Sequence, residues 1–399
     1  MPVWHKASRR WVEEGKLALV EITQEQHPDR CRLFAQWQRF DWPILHDPID
    51  VTGAVAVPIV MAIDEHGIVR SVRPNVETFE KDFLNKTFPA PGDSLPSPPS
   101  IPAKPDLSAL HRGAEMLNTA QAWQQYGDAL VLWAGIDENE AAIEAYRRSL
   151  QMSARDGGLH FRLGVCYRRR YESQHREDGD FQRAVDAWNR ALDIDPNHYI
   201  WRRRIQQYGP RLIKPYPFYD WVDQAAREIR ARGETPVELA VRPSGAEIEQ
   251  PQRHFSEIGQ HETAPDPDGR IHRDKARLIE TEVVVVPPRI KPGESVRVHV
   301  TMRPSKTADA HWNNENEPVK LWVNALGGWK TDRQLLIAPL GERPETNESR
   351  SFEFELKSPD DAKGSVRLST YTLYYACEGI DGTCLYLRQD IPVDVRFER

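Results

Sequence analysis

The chain has 399 residues, room for roughly two to four domains, with 53 Lys and Arg against 60 Asp and Glu and a formal net charge of −7. That balance argues against general affinity for nucleic acid or for an anionic membrane. No apolar run approaches the ~18 residues of a membrane span, and four cysteines are too few to staple a chain of this size.

The N-terminal stretch MPVWHKASRRWVEEGK is polar and amphipathic and does not read as a leader, so the chain as it stands is expected in the cytoplasm. Two composition breaks then divide it. The Pro/Ser-rich run FPAPGDSLPSPPSIPAKPD is too poor in apolar side chains to build a core and favours extended conformations, which predicts a linker over 89–106. A second break, with RPSGAEIEQPQRH and APDPDGRIHRD, predicts a linker over 236–275. The expected domains are therefore 1–88, 107–235 and 276–399, in the classes α/β, all-α and all-β.

In the first segment, RRWVEEGK has helical period and LALVEIT reads as a short buried strand. PDRCRLFAQWQRF is helical again, with Cys31, Leu33, Phe34 and Trp37 on one face. VPIVMAID is a strand, EHG a turn, IVRSV its hairpin partner, and NVETFEKDFLNK a closing helix. The order α-β-α-β-β-α is that of a thioredoxin fold without its first strand. The stretch AVAVPIVMAIDEHGIVR resembles the Val-Pro, strand, Ile-Asp, Gly turn and strand of the thioredoxin-like redoxin family (its TlpA and peroxiredoxin branch). The resemblance covers 1 to about 88 and implies that Pro58 is a cis-proline preceded by Val57.

The departure from that family matters more. Its members carry Cys-x-x-Cys at the start of the first helix, where this chain reads MPVWHK, with Met1 and Trp4 in the places of the thiols. A thiolate is the nucleophile of disulfide exchange, and neither a thioether nor an indole replaces it. Residues 1–88 are thus expected to lack reductase activity. Two explanations stay open: a degenerate domain, or a start placed downstream of the true one, which would move the protein to the periplasm or outside the cell. Cys31, on the apolar helix face, reads as a structural cysteine.

The second segment is helical and repetitive. GLHFRLGVCYRRR and DFQRAVDAWNRALDIDPNHY together resemble the tetratricopeptide repeat, with Leu163, Gly164 and Tyr167 in the first helix and Ala184, Trp188, Ala191 and Pro196 in the second. Small residues let two helices approach and large ones fill the space between them. A weaker copy precedes it, with Tyr126, Ala129, Trp133, Ala142 and Tyr146. Trp201 and Tyr208 begin a third, and YDWVDQAAREIRARG closes the array. Cys166 occupies a packed position. The arginine rows in YRRRY and WRRRIQQYGPR fit either a solvated helix face paired with carboxylates or a surface for single strands or acidic peptides.

The third segment is β-rich. In SVRVHVTM, Val296, Val298, Val300 and Met302 alternate with Arg297, His299 and Thr301; SFEFELK and PVDVRF alternate likewise, as in an antiparallel sandwich. Cys377 and Cys384 flank the loop EGIDGT, where Gly379 and Gly382 allow reversal of the chain. On residue chemistry alone the pair fits a structural disulfide, a redox dithiol or half a metal site. Zinc would want a second Cys pair, which is missing, while His299 or His311 could complete a copper-like set.

The region around 285–397, with YYACEGIDGTCLYLRQDIPVDV and the upstream DAHWNNENEPVKLWV, resembles the immunoglobulin-like N-terminal domain of the bacterial transmembrane thiol–disulfide interchange reductase. That resemblance implies that Cys377 and Cys384 are a redox pair on adjacent strands, and that DAHWNN corresponds to a His-x-Asn stretch.

The expected function is that of a redox-associated protein whose Cys377/Cys384 dithiol exchanges with a thiol protein, of thioredoxin type, recruited by the helical repeats. The alternative is a non-enzymatic scaffold in which every module binds partners and the disulfide is structural. Neither implies a cofactor or a nucleic acid, and the phosphate-loop, nucleophile-elbow and H-E-x-x-H motifs are absent from the sequence.

Overall fold

A computed structural model describes residues 2–54, 57–90, 104–211, 219–243, 247, 255–257, 263–324, 327–379 and 382–398. Most of the linker expected over 89–106, and part of that over 236–275, lies outside these residues. The chain forms two compact units of mixed helices and mostly antiparallel sheets. The first takes Met1–Asp180, Ala187–Arg203 and Trp221–Arg242; the second takes Phe181–Asp186, Arg204–Asp220 and Pro243–Arg399.

The first unit opens with α1 (Pro2–Glu13), β1 (Glu21–Thr23), α2 (Pro28–Gln38), β2 (Ile44–His46), β3 (Met61–Ile63), β4 (Val69–Val72) and a short π-helix, Glu80–Leu84. Pro28 starts α2 where its missing N–H costs nothing, Asp29 complements the helix dipole, and Arg39 at φ 56° ends it in the left-handed region. β1 and β2 pair in parallel and β3 and β4 antiparallel, as two separate two-stranded sheets. β2 was not among the expected strands. Between Pro43 and Asp47 only three residues are extended, too few to show a period.

The turn after β3 closes on Asp64, whose carboxylate accepts from the backbone N–H groups of His66 and Ile68, both at 2.9 Å, and from Arg70 Nε at 2.6 Å. Trp11, Ala62, Phe79 and Phe83 form the small core between α1, β3 and the π-helix. The Val57–Pro58 peptide bond is cis.

The helices follow as α3 (Leu107–Leu117), α4 (Ala120–Trp133), α5 (Asn139–Met152), α6 (Gly157–Tyr171), α7 (Asp180–Ile194), α8 (Tyr199–Gln206) and α9 (Trp221–Ala231). Asp106, Thr119 and Asp156 cap α3, α4 and α6 through their side chains, each cap contributing ~1 kcal/mol. Successive helices α3 to α6 pack on one another. At Gly127 of α4 a Cβ would stand 2.8 Å from the Tyr146 ring, so only glycine permits this approach of α4 to α5. Ala184, Trp188 and Ala191 of α7 are fully buried, as is Cys166 of α6.

The arginine row ending α6 is held internally. Arg168 pairs with Glu172 at 2.6 Å, Arg170 with Asp180 at 2.7 Å and also with Glu140, and Arg169 donates to the carbonyls of Val131 and Gly135.

Glu172 also stands 3.3 Å from His27 Nε2, which ties the segment before α2 to the end of α6. Burial alone would raise the Glu172 carboxyl, but Arg168 and His27 more than offset it and bring it from 4.5 to about 2. An acid depressed by folding stabilises the fold above its unfolded pKa, and that stability is lost as pH falls from 4.5 through 2. We expect a loss on the order of 3 kcal/mol across that window, read by urea denaturation. Glu172→Gln should flatten this part of the acid limb; an unchanged limb would remove Glu172 from the account.

The second unit holds two sheets. One orders β5 (Ser256–Glu257), β10 (Lys330–Thr331), β13 (Arg350–Lys357), β7 (Ser295–Pro304) and β6 (Ile279–Val286). The other orders β11 (Leu335–Ile337), β9 (Lys320–Val323), β14 (Ser365–Glu378), β8 (Ala310–Asn313) and β12 (Glu345–Thr346), with β15 (Cys384–Arg396) on the opposite edge of β14. The pairings between these strands are antiparallel. Val298, Val300 and Phe354 from the first sheet and Trp312, Leu321 and Val393 from the second share one core.

Alternation alone would leave Arg297, His299 and Thr301 in solvent. They are buried instead. Residues of the same unit lie over them: the Phe181 ring is 5.1 Å from His299, His299 Nε2 is 2.7 Å from the Tyr208 carbonyl oxygen, and Arg211 pairs with Glu355 at 2.8 Å. Arg297 bonds Glu353 at 3.0 Å and Glu355 at 2.8 Å, and Arg211 also reaches Asp332 at 2.6 Å.

Candidate functional site

β14 and β15 form one long hairpin whose thirteen residue pairs run from Ser365 opposite Arg396 to Cys377 opposite Cys384. Directly opposed residues of an antiparallel pair project from the same face, and the two sulfurs are joined in a disulfide, with Cα atoms 4.0 Å apart. Gly379 has φ 66°, the left-handed region that favours glycine, and a Cβ on Gly382 would collide with the Glu378 carbonyl oxygen.

The two cysteines differ in environment. Cys377 is 1% exposed, whereas Cys384 is open to solvent. On the other side of β14, His311 of β8 stands directly opposite Cys377. His311, Cys377 and Cys384 thus form a row across three strands on one face. His311 is nearly buried and its Nε2 is 3.5 Å from Glu345 Oε1 of β12.

Asn313, two residues along the same face of β8, donates from Nδ2 to the Cys384 sulfur at 3.6 Å. Its amide is oriented by two donors to its oxygen, the Glu315 N–H at 3.0 Å and Asn316 Nδ2 at 3.1 Å. Two residues inward on each strand, the rings of Tyr375 and Tyr386 meet at 4.5 Å, tilted by 31°. Burial, and then the charge of Glu317, pushes the Tyr386 hydroxyl up to about 12, so it stays protonated.

Beneath the row, Trp312 is fully buried, donates from Nε1 to the Glu348 carbonyl at 2.8 Å, and packs edge-on against Tyr374. Arg350 lies over its ring at 4.5 Å.

This arrangement suits thiol–disulfide exchange. Of the two cysteines only Cys384 is exposed, and Cys377 faces His311 across the β14–β8 ladder.

The residues singled out from sequence fall as follows. Cys377 and Cys384 are together and bonded. His311 joins them, but His299 lies on the other sheet, against Tyr208 and Phe181, and cannot complete a set with the thiols. No group of three or more His, Cys, Asp or Glu suited to a metal occurs among the described residues. Cys31 is half-buried, with Thr23 Oγ1 at 3.3 Å from its sulfur, and burial pushes its thiol up to about 12. Cys166 is buried, and burial likewise takes it to about 12. Neither is a thiolate at neutral pH.

Trp4 packs on Phe79 at 5.2 Å, and Met1 lies outside the described residues. Glu345 and the Tyr375–Tyr386 pair were not foreseen. The tyrosines were signalled by their place two residues inward from each cysteine; Glu345 carried no local signal.

No family model matches the chain, and no curated protein matches it. Among solved structures, MamA aligns over 32% of this chain and 58% of its own at 20% identity, with a TM-score of 0.21, so the match spans less than two thirds of MamA. The Pseudomonas fluorescens alkylpurine DNA glycosylase AlkC, bound to DNA containing an abasic site analog, aligns over 74% of this chain and 84% of its own at 11% identity, with a TM-score of 0.17. Spo0M, the sporulation control protein from Bacillus subtilis, covers 30% of this chain and 49% of its own at 16% identity, with a TM-score of 0.16. These scores are too low to carry an argument about fold or function. Among the described residues no helix is long and apolar enough to cross a membrane.

Proposed function

We propose that the second unit is a thiol–disulfide exchange module working through Cys377 and Cys384. The observation that carries this reading is the unequal exposure of the two sulfurs, with His311 beside the buried one. A partner thiolate attacks the Cys384 sulfur, a bond forms between the partner and Cys384, and the Cys377–Cys384 bond breaks. The electron pair leaves on Cys377, which takes a proton. A second partner thiolate then attacks the partner sulfur of the mixed disulfide and releases Cys384. The partner is oxidised to a disulfide, and the pair is reduced to two thiols.

In this reading the second unit is an immunoglobulin-like sandwich of the interchange-reductase type. Helices α4 to α8 are tetratricopeptide-type repeats that hold the partner thiol protein. Residues 1–88 are a redoxin-like domain without redoxin chemistry; what supports this is that their one cysteine, Cys31, has its thiol pushed up by burial to about 12.

Thiol trapping of the full chain across a graded glutathione buffer separates this from the scaffold reading. A working pair should titrate at a moderate potential, in the range of about −180 to −270 mV. A midpoint below about −300 mV would mark a structural disulfide and favour the scaffold.

A further inference from the structure

The surface around the open sulfur of Cys384 is acidic. Glu378 follows Cys377 directly and is exposed. Glu345, exposed on β12, lies two strands from β14, a distance of about 10 Å at the usual strand spacing. Glu315 and Glu317 are exposed on the turn after β8. Glu315 N–H binds the same Asn313 that touches the Cys384 sulfur, and the charge of Glu317 is felt by Tyr386, two residues from Cys384. Asp309 is exposed before β8 and accepts from the Gly379 N–H through its carbonyl. Of the cations on the neighbouring turns, Lys320 is held by Glu317, Lys306 shares its turn with Asp309, and Arg343 lies on the loop before β12. Carboxylates remain in excess.

We infer that the exchange partner presents its sulfur from a cationic surface, and that these carboxylates select for it. This rests on the exchange reading above and names its substrate class: thiols or disulfides set among Lys or Arg, with anionic ones disfavoured. The physical reason is that charges of one sign around a reactive point raise the local concentration of opposite charges and repel like ones, in a salt-dependent way.

The test uses the full chain carrying Cys377→Ser, in which Cys384 is the exposed thiol. It is mixed with three small symmetrical disulfides: cystamine (cationic), 2-hydroxyethyl disulfide (neutral) and bis(2-sulfonatoethyl) disulfide (anionic). The rate of mixed-disulfide formation on Cys384 is followed by mass spectrometry, each rate divided by that of the same disulfide with free 2-mercaptoethanol. At about 10 mM ionic strength the cationic reagent should outrun the anionic one by at least about tenfold. At about 1 M, where the screening length shrinks from about 30 Å to about 3 Å, the spread should collapse.

Changing Glu315, Glu317 and Glu378 together to Gln should narrow the low-salt spread severalfold and leave the rate with the neutral reagent unchanged. Equal normalised rates at low salt, or a faster anionic reagent, would overturn this inference and leave the exchange reading standing. Failure of all three reagents to modify Cys384 would overturn both.

Discussion

Arg297→Ala is expected to destabilise the second unit by about 3–5 kcal/mol, the usual result of removing one partner from a buried charge pair. Arg297 has no exposed surface and bridges Glu353 and Glu355 on the neighbouring strand β13. Without it, Glu355 keeps Arg211 and Glu353 keeps His299, each already shared or held elsewhere. The buried Glu355 and the half-buried Glu353 would then lose the cation they share. The measurement is urea unfolding followed by tryptophan fluorescence, with the transition of the second unit resolved from that of the first. A change under about 0.5 kcal/mol, typical of surface substitutions, would show that water reaches the network.

The second large effect is expected at Trp312. Trp312→Ala removes a fully buried indole from the centre of the shared core, which should cost about 3–5 kcal/mol through lost transfer energy and the remaining cavity. It also frees the Glu348 carbonyl and leaves Arg350 without the ring it covers. Because Trp312 lies between His311 and Asn313 on β8, the loss should reach the cysteine site. Mixed-disulfide formation on Cys384, in the Cys377→Ser background, should change along with stability. Trp312→Phe keeps most of the volume and should recover most of the stability without restoring the bond to Glu348. If Trp312→Ala unfolds no earlier than the parent, the core has collapsed around the gap and the packing account fails.

Some of this could be read from the chain and some could not. The buried row Ala184, Trp188 and Ala191 was visible through its resemblance to the tetratricopeptide pattern, in which small and large residues recur on one helix face. The long strands showed because their apolar side chains alternate. The cysteine hairpin showed because two glycines sit between two alternating runs. What failed to show was non-local. β2 is three residues long and acquires its identity only from β1 beside it. Arg297 and His299 look like solvent-facing residues until Phe181, Tyr208 and Arg211, nearly ninety to more than a hundred positions earlier, cover them. The partnership of His311 with Glu345 depends on the register of two short strands against β14, which no periodicity specifies. The same holds for the difference between the two sulfurs, since one cysteine is buried by neighbours brought from elsewhere.

The hairpin imposes a rule on time as well as on place. When the bond between Cys377 and Cys384 opens, the other twelve pairs of the ladder still hold the two positions face to face. In the exchange proposed above, a visitor attached to Cys384 would sit beside a second thiol whose effective concentration far exceeds that of anything in solution. On that proposal a visitor with a single thiol would be expelled before a second copy arrives, and one carrying its own second thiol, equally close, would win the race and depart oxidised. The ladder would then act as a clock that tells dithiols from monothiols by lifetime alone, and Cys377→Ser would stop it.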